Sequence, residues 1–378
     1  MGNKTANQQH QASPRAKKAG ATIIDLSINP NNFSPAINHI VTSIQEARAT
    51  DQRVIVMLGE EHSTISHVAL PLMLRRGLAE AGSKDKPALV LEQSENLLEY
   101  YLPDIMRKTS GSYDTARHAL NNLKQNTPNR YHHLQALTVM SLQWPTTPVT
   151  HMECVADWLR EKLPVRLIDI PINTSGQIDL SNPEAAEFVK KHTEREDISL
   201  SAEYLTGRMR LRNLWEVANL SRIINENDLV LCQMGLTHIA GEQERNLPYK
   251  HSLHGLGIQT DHNVKIITVF PEIDYGNQTF TTKLSQHAQK AMNTPDTVII
   301  RGGNGTRHKQ GTAGSIDEEI KTLHEIFMAS GQSDNSLSFD KSDYEHQYKD
   351  ATSTLYRDLT RLTRREGKSF NSPLRYNL

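Results

Sequence analysis

The chain has 378 residues, enough to bury a substantial core and to form one large or two modest domains. Lys and Arg number 42 against 43 Asp and Glu, and this balance excludes a dedicated nucleic-acid binder, which needs a cationic excess to neutralise phosphates. Two cysteines, Cys154 and Cys232, are too few for a disulfide framework and fit a reducing compartment.

Met1 to Gly20 is polar and mildly basic and lacks the apolar segment of a secretory signal. No stretch of the sequence approaches the ~20 apolar residues that span a bilayer. Met1-Gly2-Asn3-Lys4-Thr5-Ala6 begins like an acylation motif but puts Ala6 where Ser or Thr is required. Residues 1–21 read as a disordered leader, and the expected location is the cytoplasm or, for an injected bacterial effector, a host cell.

The globular body starts near Ile23. Arg53-Val54-Ile55-Val56-Met57-Leu58 is a strand that runs into Gly59-Glu60-Glu61-His62, and a helix follows over Ile65 to Gly82. Ala88-Leu89-Val90-Leu91 ends on Glu92. Three helical patterns, Asn96–Arg107, Tyr113–Lys124 and Tyr131–Gln143, then exceed what one crossover needs. With a fourth helix near Cys154–Lys162 they predict a helical insertion, about 94–162, part of it a cap. Val165-Arg166-Leu167-Ile168 ends on Asp169. A helix over Leu200–Asn227 delivers the chain into Leu229-Val230-Leu231-Cys232, which leads to Gly235-Leu236-Thr237-His238. Asn263–Phe270 reads as a fifth strand and Thr297–Arg301 as an edge or sixth. Gly302 to Gly314 contains Gly-Gly-Asn-Gly but no Gly-Lys-Ser/Thr, so it is a loop and not a phosphate cradle. A helix over Ile316–Ala329, a polar linker and a charged helix over Tyr344–Arg365 complete a C-terminal extension, residues 302–378.

Short, non-alternating β-branched runs mark strands buried on both faces, hence a parallel sheet covered by helices. The expectation is a three-layer α/β domain over residues 22–301, with a mainly parallel central sheet, an inserted helical cap and the helical extension. Ligands of such sheets bind beyond the carboxyl ends of the strands. Glu60, Glu61, His62, Glu92, Asp169 and His238 would therefore gather along one rim. His62, Glu92 and His238 could hold a divalent metal whose bound water ionises near neutral pH. Without metal, a His held by a carboxylate is a general base.

Leu58-Gly59-Glu60-Glu61-His62, then Glu92 at a strand end, then Gly235-Leu236-Thr237-His238 resembles the superfamily that joins erythromycin-esterase-like hydrolases, ChaN-like haem-binding lipoproteins and TraB/Tiki proteins. Leu253-His254-Gly255-Leu256-Gly257-Ile258 matches the family's helix-then-Gly passage, and coverage runs from about Arg53 to Phe270. The resemblance implies that each Gly-x-x-His and Glu92 are site residues, and that Arg208 or Arg212 fills the place of an Arg on the helix before the last motif. The esterase branch's longer insertion is missing, so antibiotic hydrolysis does not carry over. Three readings compete. One is a hydrolase of an ester or peptide bond in a small-molecule or peptide substrate, using Glu60 or Glu61 as base. Another is a haem- or metal-binding protein, with Tyr100 or Tyr101 beside Leu97 and Leu98 as the haem hint. The last is a non-catalytic, effector-like interaction module.

Overall fold

The computed structural model describes residues 20–109, 111–142, 146–173, 177–196, 204–241, 247–258, 260, 262–272, 284–307, 315–332 and 340–370. The expected leader, apart from its last residues, and positions 308–314 and 333–339 of the expected loop and linker lie outside these.

Seven strands form one sheet: β1 (Thr22–Asp25), β2 (Arg53–Glu60), β3 (Ala88–Ser94), β4 (Val165–Asp169), β5 (Leu229–Gly235), β6 (Val264–Pro271) and β7 (Thr297–Arg301). Every pairing is parallel, in the order β1-β7-β6-β2-β5-β3-β4. Thr297–Arg301 is an inner strand, because β1, which carries too few apolar residues to stand out in sequence, adds outside it. The helices are α1 (Ser34–Arg48), α2 (Ile65–Glu80), α3 (Leu97–Thr109), α4 (Tyr113–Asn126), α5 (Pro128–Met140), α6 (Pro148–Arg160) and α7 (Pro183–Glu196). They continue with α8 (Tyr204–Glu226), α9 (Leu236–Ala240), α10 (Leu253–Leu256), α11 (Gln286–Ala291), α12 (Ser315–Ala329) and α13 (Lys341–Phe370). Among the described residues no helix is long and apolar enough to cross a membrane.

Side chains alternate across β2, so both faces of the sheet must be covered. Val54, Val56 and Leu58 pack into a large core with α1, α2 and the helices between β3 and β4. Ile55 and Met57 pack on the other face with Leu220, Ile223 and Ile224 of α8. This is a three-layer α/β arrangement. The insertion builds outward from one helical layer, with Leu98, Leu120, Leu134 and Val155 all in the larger core. The last helix is not appended to this body: Tyr344, Ala351, Leu355, Leu359 and Leu362 of α13 are buried in the same core. Their spacing of three, four and seven is a single apolar face of a helix whose other faces are charged. The two cysteines are buried and unpaired.

Candidate active site

Because all strands run the same way, their carboxyl ends lie at one edge. The four that end in candidate residues, β2, β5, β3 and β4, are neighbours in that order. Glu60 is in register with Gly235. Along β3 and β4, Leu91 pairs with Leu167 but Ser94 pairs with Asp169, so one extra residue is accommodated at Glu92 and Gln93. Such a bulge re-aims side chains at a strand end. Gly59 is needed for close approach, since β2 stays paired through Glu60 and does not turn there. A Cβ at Gly59 would lie 2.3 Å from Leu236 Cδ2 of α9 and 3.1 Å from the Val269 carbonyl oxygen.

Helix α8 crosses this rim and places Arg212, Asn213 and Glu216 against the strand ends. Arg212 donates from Nε and Nη2 to the two oxygens of Asp169, at 2.9 and 2.5 Å, and from Nη2 to Glu92 Oε1 at 2.9 Å. Asp169 also accepts the Ile170 N–H at 2.7 Å. Burial works against a charge on Arg212, but Asp169 and then Glu92 hold it firmly protonated. Arg212, one of the two arginines that the resemblance left open, is at the rim.

His238 is buried in the same network. Its Nε2 lies 3.0 Å from Glu92 Oε1, and its Nδ1 lies 2.5 Å from Asn213 Oδ1 and 3.2 Å from Glu216 Oε2. The Asn213 amide is oriented by its other end, which donates to the His251 carbonyl at 2.7 Å. Both ring nitrogens therefore face acceptors, which describes an imidazolium. Burial alone would lower its pKa, yet Glu216 and Glu92 push it up to about 10. For Glu92, burial alone would raise the pKa, but His238, Arg212 and His62 hold the carboxyl well below the usual range. Glu92 Oε2 accepts the Gly235 N–H at 2.7 Å.

His62 lies on the other side of Gly235. A Cβ at Gly235 would meet Glu92 Oε2 at 3.1 Å, His238 Cδ2 at 3.7 Å and His62 Nε2 at 3.9 Å, so the two histidines share one rim. His62 Nδ1 is 2.7 Å from Glu60 Oε1, and the His62 carbonyl accepts from Thr147 Oγ1 at 2.9 Å. The Glu60 carboxylate is buried while 53% of the His62 side chain is exposed. Hydrogen bonding to Glu60, opposed by partial burial, pushes the His62 pKa up to about 9. Nε2 of His62 makes no hydrogen bond among the described residues. Glu61 turns away: its carboxylate pairs with Arg307 at 2.9 Å, in the loop after β7.

Glu92, Glu216 and His238 have donor atoms within 4.8 Å of one another, the spacing of a metal site. The arrangement fits an ion poorly. A ligating imidazole must be neutral with a free lone pair, and Glu92 and Glu216 lie on opposite nitrogens of His238, so one ion on the ring cannot reach both carboxylates. Glu92 Oε1 is already engaged by His238 and by a guanidinium that cannot lose its proton. In the expected trio of His62, Glu92 and His238, both histidines are held at Nδ1 and have Nε2 on the Gly235–Glu92 side, with Glu92 Oε1 shared with Arg212.

Sequence reasoning missed Asn213 and Glu216. They lie inside a helix whose Leu and Ile stripe marks it as core, and a polar residue at a buried helical position shows its purpose only once its partner is placed. Comparison with protein-family models, with curated proteins and with solved structures returns no match.

Proposed function

We propose that the chain is a metal-independent hydrolase of an ester or peptide bond, with His62 as the general base that activates water. Its support is one observation: a half-exposed imidazole is oriented at Nδ1 by the buried Glu60 carboxylate and leaves Nε2 open toward Gly235 and Glu92. That is the base-and-orienter pair of hydrolytic sites without a side-chain nucleophile. Arg212, whose side chain is 17% exposed, supplies fixed positive charge at the rim, where an oxyanion would develop. His238 holds Glu92 in place and does not move a proton itself. The Gly59–His62, Glu92 and Gly235–His238 resemblance to the erythromycin-esterase-like, ChaN-like and TraB/Tiki superfamily agrees with this reading.

A panel of para-nitrophenyl esters and fluorogenic peptides tests it. Wild-type turnover should persist in chelator, and His62→Ala should lower it by about 10²–10⁴-fold. Equal rates in the variant would remove His62 from the chemistry, and loss of activity in chelator with recovery on adding a metal would reinstate the metal reading. A haem site has less support. Tyr100 and Tyr101 do line a pocket of about 500 Å³ beside the end of β3. Burial raises the Tyr101 pKa, however, which opposes the phenolate that an axial ligand requires.

A further inference from the structure

A pocket of about 460 Å³ opens at the amino-terminal edge of the sheet, where Pro164 and Val165 enter β4, opposite the rim that carries Asp169. Its floor is apolar, from Ala136, Leu159 and Leu163. Its polar lining is Asn129, His132 and His133 of α5, Lys162 just beyond α6, and Arg166 of β4. Four basic groups and no carboxylate line it. None of the four lies within ion-pair distance of a described carboxylate, whereas the partly buried Arg48, Arg53, Arg75 and Arg212 are each paired. Arg166 makes one bond, to the Val165 carbonyl at 3.2 Å, and Nδ1 of His132 is buried without a partner.

Lys162 and His133 are exposed and would be solvated in any case. Arg166 and His132 are partly buried, and burial disfavours the charged form of each. Burial lowers the Arg166 pKa, with Glu226 opposing and Arg222 adding to the effect. His132 is lowered to about 4 by burial and then by Arg166, with Gln135 opposing and Arg222 and Lys124 adding to the effect. A cavity that places Lys162 and Arg166, neither of them in an ion pair, over an apolar floor is complementary to an anion with an apolar body. Several donors arranged around one space suit a multiply charged group with many acceptor oxygens, which a single carboxylate does not offer.

We infer that this pocket binds a small phosphorylated metabolite, its phosphoryl oxygens held by His132, Lys162 and Arg166 and its body resting on Ala136, Leu159 and Leu163. The site is separate from the His62–Glu92 rim and does not depend on the hydrolase reading. Titration calorimetry of the full chain with pyrophosphate and with inorganic phosphate provides the test, alongside the NMR titration of His132. Pyrophosphate should bind and raise the His132 pKa. Arg166→Gln and the exposed Lys162→Gln should each weaken binding by about tenfold or more. Lys162→Gln keeps the test valid if Arg166→Gln unfolds. No binding at about 10 mM of either anion, or binding that both variants leave unchanged, would overturn the site. Citrate binding as tightly as pyrophosphate would overturn the phosphoryl class.

Discussion

Removing His238 should cost more stability than removing His62, although both are the histidines of a Gly-x-x-His. From sequence alone, His238 would be an exposed rim residue whose loss leaves stability nearly unchanged. In the structure it is buried between Glu92 and Glu216, with Asn213 as a further acceptor. His238→Ala leaves Glu216, which is 0% exposed and already has one oxygen without a partner, facing a cavity without its hydrogen-bonded counter-charge, Arg212 acting on it only from a distance. Breaking a buried ion pair from one side costs about 3–5 kcal/mol. With an unfolding entropy of about 2.1 cal/mol/K per residue, that lowers Tm by about 4–6 °C for a chain of this length. The pH dependence has a definite sign. His238 has its folded pKa raised, so its stabilisation is complete below the ordinary histidine value and disappears as pH rises through about 10. Burial raises the Glu216 pKa, so in the variant that carboxyl takes a proton in acid and the penalty shrinks there too. The gap between wild type and variant, measured by calorimetry, should be widest near neutral pH. His238→Ala combined with Glu216→Gln should recover at least about 1 kcal/mol, because the uncompensated charge is gone. A single variant as stable as wild type, or a double variant no better than the single, would refute the account of His238 as a buried imidazolium.

His62→Ala should cost about 1–3 kcal/mol of thermal stability, less than His238→Ala, because the ring is half exposed but its loss leaves the buried Glu60 carboxylate without its partner. If His62 is the base, kcat/KM should rise with pH up to about 9, where its raised pKa lies, and a profile that is flat or falling over that range would exclude the role. Gly59→Val should cost about 1–3 kcal/mol by chemical denaturation, because the new side chain collides with Leu236; wild-type stability would mean that α9 can shift freely. Arg212→Lys should lose activity and about 1–3 kcal/mol of stability, as one ammonium cannot span Asp169 and Glu92 together. Truncation before Lys341 should give an aggregating or destabilised protein, because it strips Leu355, Leu359 and Leu362 from the core; a soluble fragment with wild-type Tm would show that α13 is dispensable.

Much of this arrangement is legible in the amino-acid order. Unbroken β-branched runs can only be strands buried on both faces, and runs such as Val165–Asp169 and Thr297–Arg301 match the observed strands to the residue. Parallel strands share a polarity, so the placement of Glu60, Glu92 and His238 at run ends was enough to bring them to one edge. Contacts between distant segments are not written in local periodicity. The strand order that makes β2, β5, β3 and β4 neighbours is such a case, as is the capture of α13 by the core. The pairing of Arg212 with Asp169 and Glu92, the diversion of Glu61 to Arg307 and the recruitment of Asn213 and Glu216 were also decided only by packing. The sharpest instance is the pair of histidines. The same local motif yields an open, half-exposed His62 and a closed, doubly hydrogen-bonded His238, because α8 covers one and leaves the other at the surface. Sequence determines which groups reach the rim; the tertiary structure decides which of them keep a nitrogen free for chemistry.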